Sequence, residues 1–194
     1  MKIEIHPYNP AWPQLFAEEK QRLSAQLDGL GARIEHIGST SVPDLAAKPI
    51  IDIAVGLQSP DHLDQMPDRM LQDPHYLYFP VYESMMPGRR YFLRISSAGQ
   101  RAQLPQVIDN FELTLHPAVL TREYQIHIWV EATEDYQRHL RFRDHLRTHP
   151  QVRQAYEDLK KDLAQREWAS GGDYAEAKTE FIRRIEREAL GGAG

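Results

Sequence analysis

The chain has no cysteine among its 194 residues, which removes disulfides, thiolate nucleophiles and cysteine metal sites and suits a reducing compartment. It also lacks any apolar run near the ~20 residues that a bilayer-spanning helix needs. Its start, MKIEIHPYNPAWPQ, has neither a basic n-region nor an apolar h-region, so a cytoplasmic protein without membrane contact is expected. Positive charge is short as well: 23 Lys and Arg stand against 28 Asp and Glu, a net charge of -5. The basic footprint of a duplex-binding protein is missing. Walker A, GxGxxG and HExxH sequences are absent, so none of those enzyme classes is indicated. With no internal repeat, low-complexity tract or long linker, a single domain over residues 1–194 is expected, its sheet core over about 1–131 and helices over about 133–190.

What is present is a succession of strand and helix periods. Residues 2–6 alternate Ile3 and Ile5 with polar side chains, which predicts a short strand ended by PYNPAWP, with Asn9 placed to cap the first helix. From Trp12, the residues Phe16, Leu23, Leu27 and Leu30 recur at helical spacing until Gly29 and Gly31 close the segment. Residues 33–37 and 49–57 read as strands, the second so continuously apolar that it belongs in the middle of a sheet covered on both faces. A Pro-interrupted helix comes next, in SPDHLDQMPDRMLQD. Residues 75–82 and 89–95 read as an antiparallel pair, with Arg90, Phe92 and Arg94 on one face. Residues 96–116 are mostly loop, with DNFELTLH expected as an edge strand. Residues 123–131 alternate again, and if Tyr124, Ile126, Ile128 and Val130 face the core, His127 turns to the face available to Asp52. The final third predicts three helices, starting at Thr133, near Val152 and near Tyr174, with Ser170-Gly171-Gly172-Asp173 breaking the last two apart.

The stretch IEHIGSTSVPDLAAKPIIDIAV, residues 34–55, carries the chemistry. It joins a strand, a small hydroxylated turn (Gly38, Ser39, Thr40, Ser41) and a second strand bearing Asp52. Backbone N–H groups and hydroxyls of such a turn suit phosphate, and a carboxylate beside them suits a cation. Burying an unpaired carboxylate is costly, so Asp52 must be paired, hydrogen-bonded, bound to a cation or set at the strand's open end. The same turn also fits a plain helix cap. Lys48 precedes the second strand and Arg90 offers a bidentate grip on phosphate. His127 could share a metal with Asp52, and His36 is a second-rank candidate. The pairs Tyr156/Lys160 and Tyr174/Lys178 sit at i, i+4, a spacing equally at home in surface packing.

This stretch, together with RRYF, the HLRFRDHLRTHP run and those two Tyr/Lys pairs, closely resembles the GrpB family of the nucleotidyltransferase-fold superfamily. The resemblance spans nearly the whole chain. It implies an α/β (α+β) fold, a nucleotidyltransferase-like mixed sheet flanked by helices. The superfamily pattern sets a Gly-Ser turn about a dozen residues before a strand with two acids one residue apart, and a third acid on a later strand. Gly38-Ser39 and Asp52 match it, whereas the second acid is replaced by Ala54 and the third by His127. The family usually has two histidines at alternate positions on that later strand, and Gln125 stands in place of the first. By this resemblance Asp52 is the catalytic candidate, Asp52 and His127 the metal ligands, and Gly38, Ser39, Thr40, Ser41, Lys48, Arg90, Lys160 and Lys178 the phosphate-binding set. The implied cofactor is a divalent ion, Mg or Mn ahead of Zn, with a nucleotide as ligand or substrate. Some family members are fused to dephospho-CoA kinase, which implies a phosphorylated small molecule as partner and a possible protein partner. Two readings stand open: a metal-dependent nucleotidyl or phosphoryl transferase, and a binding protein that holds such a ligand without turning it over.

Overall fold

Because successive side chains of a strand face opposite ways, the strand Ile51–Leu57 sends Ile51, Ile53, Val55 and Leu57 to one side of its sheet and Asp52, Ala54 and Gly56 to the other. The structure, a computed structural model, describes residues 1–191. Its strands are β1 (Arg33–Ile37), β2 (Ile51–Leu57), β3 (Tyr76–Tyr78), β4 (Arg90–Arg94) and β5 (Tyr124–Val130), in the order β1-β2-β5-β4-β3. The β2–β5 pair is parallel and the other pairs are antiparallel, so the sheet is mixed and the fold is of the α+β class. Around it lie α1 (Trp12–Gln26), the short α2 (Pro60–Leu63), α3 (Met66–Met70), α4 (Ala98–Arg101), α5 (Phe111–Thr114) and α6 (Pro117–Leu120), then α7 (Glu134–Thr148), α8 (Pro150–Ala164), α9 (Gly171–Glu176) and α10 (Thr179–Gly191). Among the described residues no helix is long and apolar enough to cross a membrane.

One face of the sheet is sealed. Leu23 of α1, with Leu27 and Leu30 beyond its end, packs on Ile51, Ile53 and Val55, while Met66 and Met70 of α3 extend the same core. Glu19 is fully buried there. It accepts a 2.5 Å hydrogen bond from the Tyr76 hydroxyl and lies 3.6 Å from Arg94 Nε and 3.2 Å from Arg22, the pairing that a buried charge requires. The other face is only partly covered. Tyr136 of α7 lies across Gly56, and Leu77 and Leu93 at the far edge pack under Leu104, Ile108 and Val119. Helices α8 and α10 pack on the segment after β1 through Val42, Leu45, Tyr156 and Phe181.

Several expected elements change form for local reasons. Residues 2–6 make only a bridge, with His6 and Ala47 exchanging two 2.9 Å hydrogen bonds, because Pro7 and the turn after it stop the ladder. The strand expected at 75–82 ends at Tyr78, since Pro80 opens a 3-10 turn. DNFELTLH is a helical turn: Asn110 Oδ1 accepts from Leu113 N at 3.0 Å, and that local cap wins over edge pairing. The last expected helix is two, α9 and α10, the first started by a capping box between Ser170 and Asp173. Residues 192–194 of the expected domain lie outside the described residues.

A Cβ at Gly56 would stand 2.8 Å from Tyr136 Cζ and 3.0 Å from its Cε2, so β2 needs glycine there for α7 to dock. Gly56→Ala is expected to destabilise the fold by about 1–3 kcal/mol, measured by urea denaturation.

Candidate functional site

The uncovered part of the second face forms a cavity of about 710 Å³. Its floor is supplied by alternate residues of three neighbouring strands: Asp52 of β2, Gln125 and His127 of β5, and Tyr91 of β4, where Asp52 is in register with Gln125 and Tyr91 with His127. Asp52 keeps 29% of its side chain exposed and His127 keeps 14%.

The turn after β1 is pressed onto this floor. Gly38 has φ 68° and ψ -175°, a region essentially closed to other residues. A Cβ added there would stand 2.9 Å from both Cβ and Cγ of Asp52 and closer still to its carboxylate oxygen. Of the turn hydroxyls, Ser41 Oγ donates to Gly38 O at 2.6 Å and Thr40 Oγ1 to Ile50 O at 3.1 Å. Both are therefore committed to holding the loop. Ser41 lines a smaller concavity of about 490 Å³ beside the turn, with His36 and Arg147, and its carbonyl accepts from Arg147 at 2.8 Å. Ser39 and Thr40 line the main cavity.

Cations crowd round Asp52. The ammonium groups of Lys48 and Lys178 face the Tyr174 ring at 4.9 and 4.4 Å from its centre, a stabilising but weak arrangement. Among the described residues neither ammonium group makes a hydrogen bond within 3.5 Å or an ion pair within 4.0 Å. Burial, and then Lys48, bring the Lys178 ammonium down to about 8, against the pull of Asp52. Lys160 is buried, donates to Ala46 O and faces Tyr156. Burial first, then Lys178, lowers it to about 7. Asp52 is itself raised to about 6 by burial, with Lys48, Lys178 and Arg122 opposing. The Gln125 amide, with its nitrogen toward Asp52, donates to Oδ1 at 3.0 Å and accepts from Arg122 Nη2 at 2.9 Å and Nε at 2.6 Å. Arg122 also donates to Val119 O at 3.0 Å.

The family profile described as GrpB protein matches residues 2–188. The chain belongs to the GrpB family. It is 34% identical to the UPF0157 protein YqkA of Bacillus subtilis over 97% of its own length, although it spans only 47% of that protein. The crystal structure of GrpB from Enterococcus faecalis superimposes with a TM-score of 0.75 at 34% identity, covering 97% of this chain and 98% of that one. A more distant relative, at 25% identity, is the dephospho-CoA kinase of Mycobacterium leprae, in which the match covers 93% of this chain and 45% of the kinase.

In this GrpB-family chain the residues expected as metal ligands do come together, His127 Nε2 lying 4.0 Å from Asp52 Oδ1. Their surroundings do not fit a divalent ion. Arg89 donates to His127 Nδ1 at 3.4 Å, which leaves the imidazole proton on Nε2 and no lone pair toward Asp52. Burial, then Arg89 and His139, hold His127 neutral, well below its ordinary value. Among the described residues no group of three or more His, Asp or Glu gathers to hold a metal. The place of the second acid is filled as well: Ala54 is fully buried against Ile37, Trp129 and Tyr136, where a carboxylate would be stripped of water.

Arg90 is the expected residue that the fold places elsewhere. It pairs in register with Ile128, so it faces the α1 side, where it bonds Asp64 at 2.7 Å and approaches Glu83 at 3.5 Å. Its neighbour Arg89 lines the cavity instead. Strand alternation groups Arg89 with Tyr91, and the pairing of β4 with β5 decides which face that group takes. Arg122 and the bridging role of Gln125 left no motif in the sequence.

Gly38→Ala is expected to cost about 1–3 kcal/mol through its backbone conformation alone, with a further loss from crowding that disappears in an Asp52→Gly background, read from a double-mutant cycle of urea denaturation. For Lys160, the folded value of about 7 lies below the ordinary lysine value of 10.5, so the unfolded chain binds the extra proton and wild-type stability rises with pH across that window. The difference in thermal midpoint between Lys160→Met and wild type should accordingly move in favour of wild type from pH ~6 to pH ~9.

Proposed function

We propose that this GrpB-family protein binds a phosphorylated small molecule of the nucleotide or coenzyme A type, and that side-chain cations rather than a divalent metal hold its phosphate. The observation that carries this reading is the pair of ammonium groups, Lys48 and Lys178, set on one tyrosine ring without an acceptor and beside a single carboxylate. Arg89 and Lys160 add charge to the same cavity, while Ser39 and Thr40 offer the turn backbone. Two like charges held close in a partly desolvated pocket repel one another, and an anion between them relieves that repulsion. The similarity to part of a dephospho-CoA kinase supports a ligand from that chemistry. The absence of cysteine supports a cytoplasmic setting.

Metal-dependent nucleotidyl transfer is the second reading, favoured by the close contact of the Gly38 turn with Asp52. The two readings give opposite signs for one substitution. If Asp52 only opposes an anion, Asp52→Asn tightens binding of pyrophosphate, ATP or coenzyme A several-fold. If Asp52 holds a metal, the same change abolishes it.

Thermal shift with those three compounds, with Mg²⁺ or with a chelator, is the test. A compound that binds, present at about a hundred times its Kd, adds about 2.7 kcal/mol of stability, and the shift persists with chelator. Lys178→Gln weakens binding by about tenfold or more, the worth of a charged hydrogen bond. Dependence of every shift on Mg²⁺, or its loss in Asp52→Asn, overturns the cation-held reading.

A further inference from the structure

The cavity has a second chemical character that phosphate does not use. Beyond Tyr91 its lining turns apolar, through Phe79, Tyr82 and Met86 after β3 and through Phe111, Leu115 and Leu120 of the segment carrying α5 and α6. The rings run in sequence: Tyr82 lies 5.8 Å from Tyr91 and 5.9 Å from Phe111, both edge-on. Phe79 stacks on Tyr82 with centroids 6.1 Å apart, so the open ring of the series is Phe111 at its end. Phe111 and Leu115 are each 56% exposed, and Met86 and Leu120 are 45% and 42% exposed. Large apolar side chains exposed singly are ordinary, but four gathered round the mouth of one cavity mark a binding surface.

The placement of this wall relative to the cations sets the shape of the occupant. Asp52 and the lysines lie over β2, and Tyr91 is on β4, two strands away because β5 intervenes. Two strand spacings are about 10 Å, and Phe111 is reached from Tyr91 only through a second ring contact, by way of Tyr82. A ligand filling the cavity therefore carries its anionic group at one end and its apolar group more than one phosphate's width away. An exposed ring such as Phe111 favours a flat ring over an alkyl chain, since stacking adds to simple burial.

We infer that the ligand of this site carries a flat aromatic ring, seated on the wall formed by Tyr82 and Phe111, and joined to its phosphate by a spacer of roughly nucleotide length. This inference rests on the phosphate reading of the cationic end and adds the recognition of the organic end. It also gives a role to residues 111–120, which lie over the cavity's outer edge.

The test compares ADP with methyl diphosphate, which matches its charge but has no ring, by isothermal titration. ADP should bind wild type at least tenfold more tightly, as stacking on an aromatic platform allows. Phe111→Ala, at an exposed position that burial does not hold, should bring the two affinities within about threefold by removing only the ring's share, while methyl diphosphate binds as before. Phe111→Trp should restore the difference, and Lys178→Gln should weaken both compounds in parallel. Equal affinities in wild type, a ratio untouched by Phe111→Ala, or an alkyl diphosphate of similar length binding as tightly as ADP would each overturn the ring assignment. In those cases methyl diphosphate still binds and the phosphate reading stands. If methyl diphosphate, ADP and pyrophosphate all fail to bind wild type, both readings fall together.

Discussion

The closeness of Gly38 to Asp52 is the constraint on which the rest of the site depends. A backbone with no side chain lets the turn settle directly against the carboxylate. That contact takes water from one side of Asp52 and helps raise its proton affinity. A carboxylate so placed needs compensation, and the fold supplies it from several elements: the Gln125 amide on β5, Arg122 just before that strand, Lys48 before β2, and Lys178 between α9 and α10. The turn does not gather these groups by itself. It fixes the point to which they are drawn.

The compensation exceeds what one acid requires. Lys48, Lys178 and Arg122 already oppose the charge of Asp52, and Lys160 and Arg89 line the same cavity. A two-metal site works the other way round, with several anionic oxygens holding two divalent ions close against their mutual repulsion. Here the place of a second acid is closed by packing, because Ala54 lies beneath Trp129 and Tyr136 and the docking of α7 requires that apolar contact. The same helix that Gly56 admits therefore excludes the acid at Ala54. Loss of negative charge and gain of positive charge in the cavity are two aspects of one arrangement.

Much of this is legible in the sequence. The alternation of β2 and β5 sets their faces and brings His127 to Asp52, and the Gly-Ser turn points to the place where they meet. Five residues of the expected phosphate set, Ser39, Thr40, Lys48, Lys160 and Lys178, line the cavity. Lys160 and Lys178 enter through the family resemblance, since an i, i+4 pair alone also describes an ordinary helix surface. The face of Arg90 is not legible, because it depends on the parity of β4 relative to β5, which only pairing fixes. The role of Ser41 is hidden for another reason: a hydroxyl in a turn serves the loop as readily as a ligand. Residues 96–116 resist reading because short capped turns have too few residues to establish a period.

The Tyr174 ring, which carries both Lys48 and Lys178, comes from the last quarter of the chain, while the turn and Asp52 come from the first third. The cationic end thus exists only once the ends of the chain have closed on one another, a closure also marked by the Met1 ammonium donating to Trp168 O. Closing that long loop costs chain entropy, which the contacts between the two ends offset. A ligand bridging Lys48 and Lys178, as proposed, would clasp the two ends of the chain together, so occupancy of the cavity would report its closure as well as the presence of the ligand.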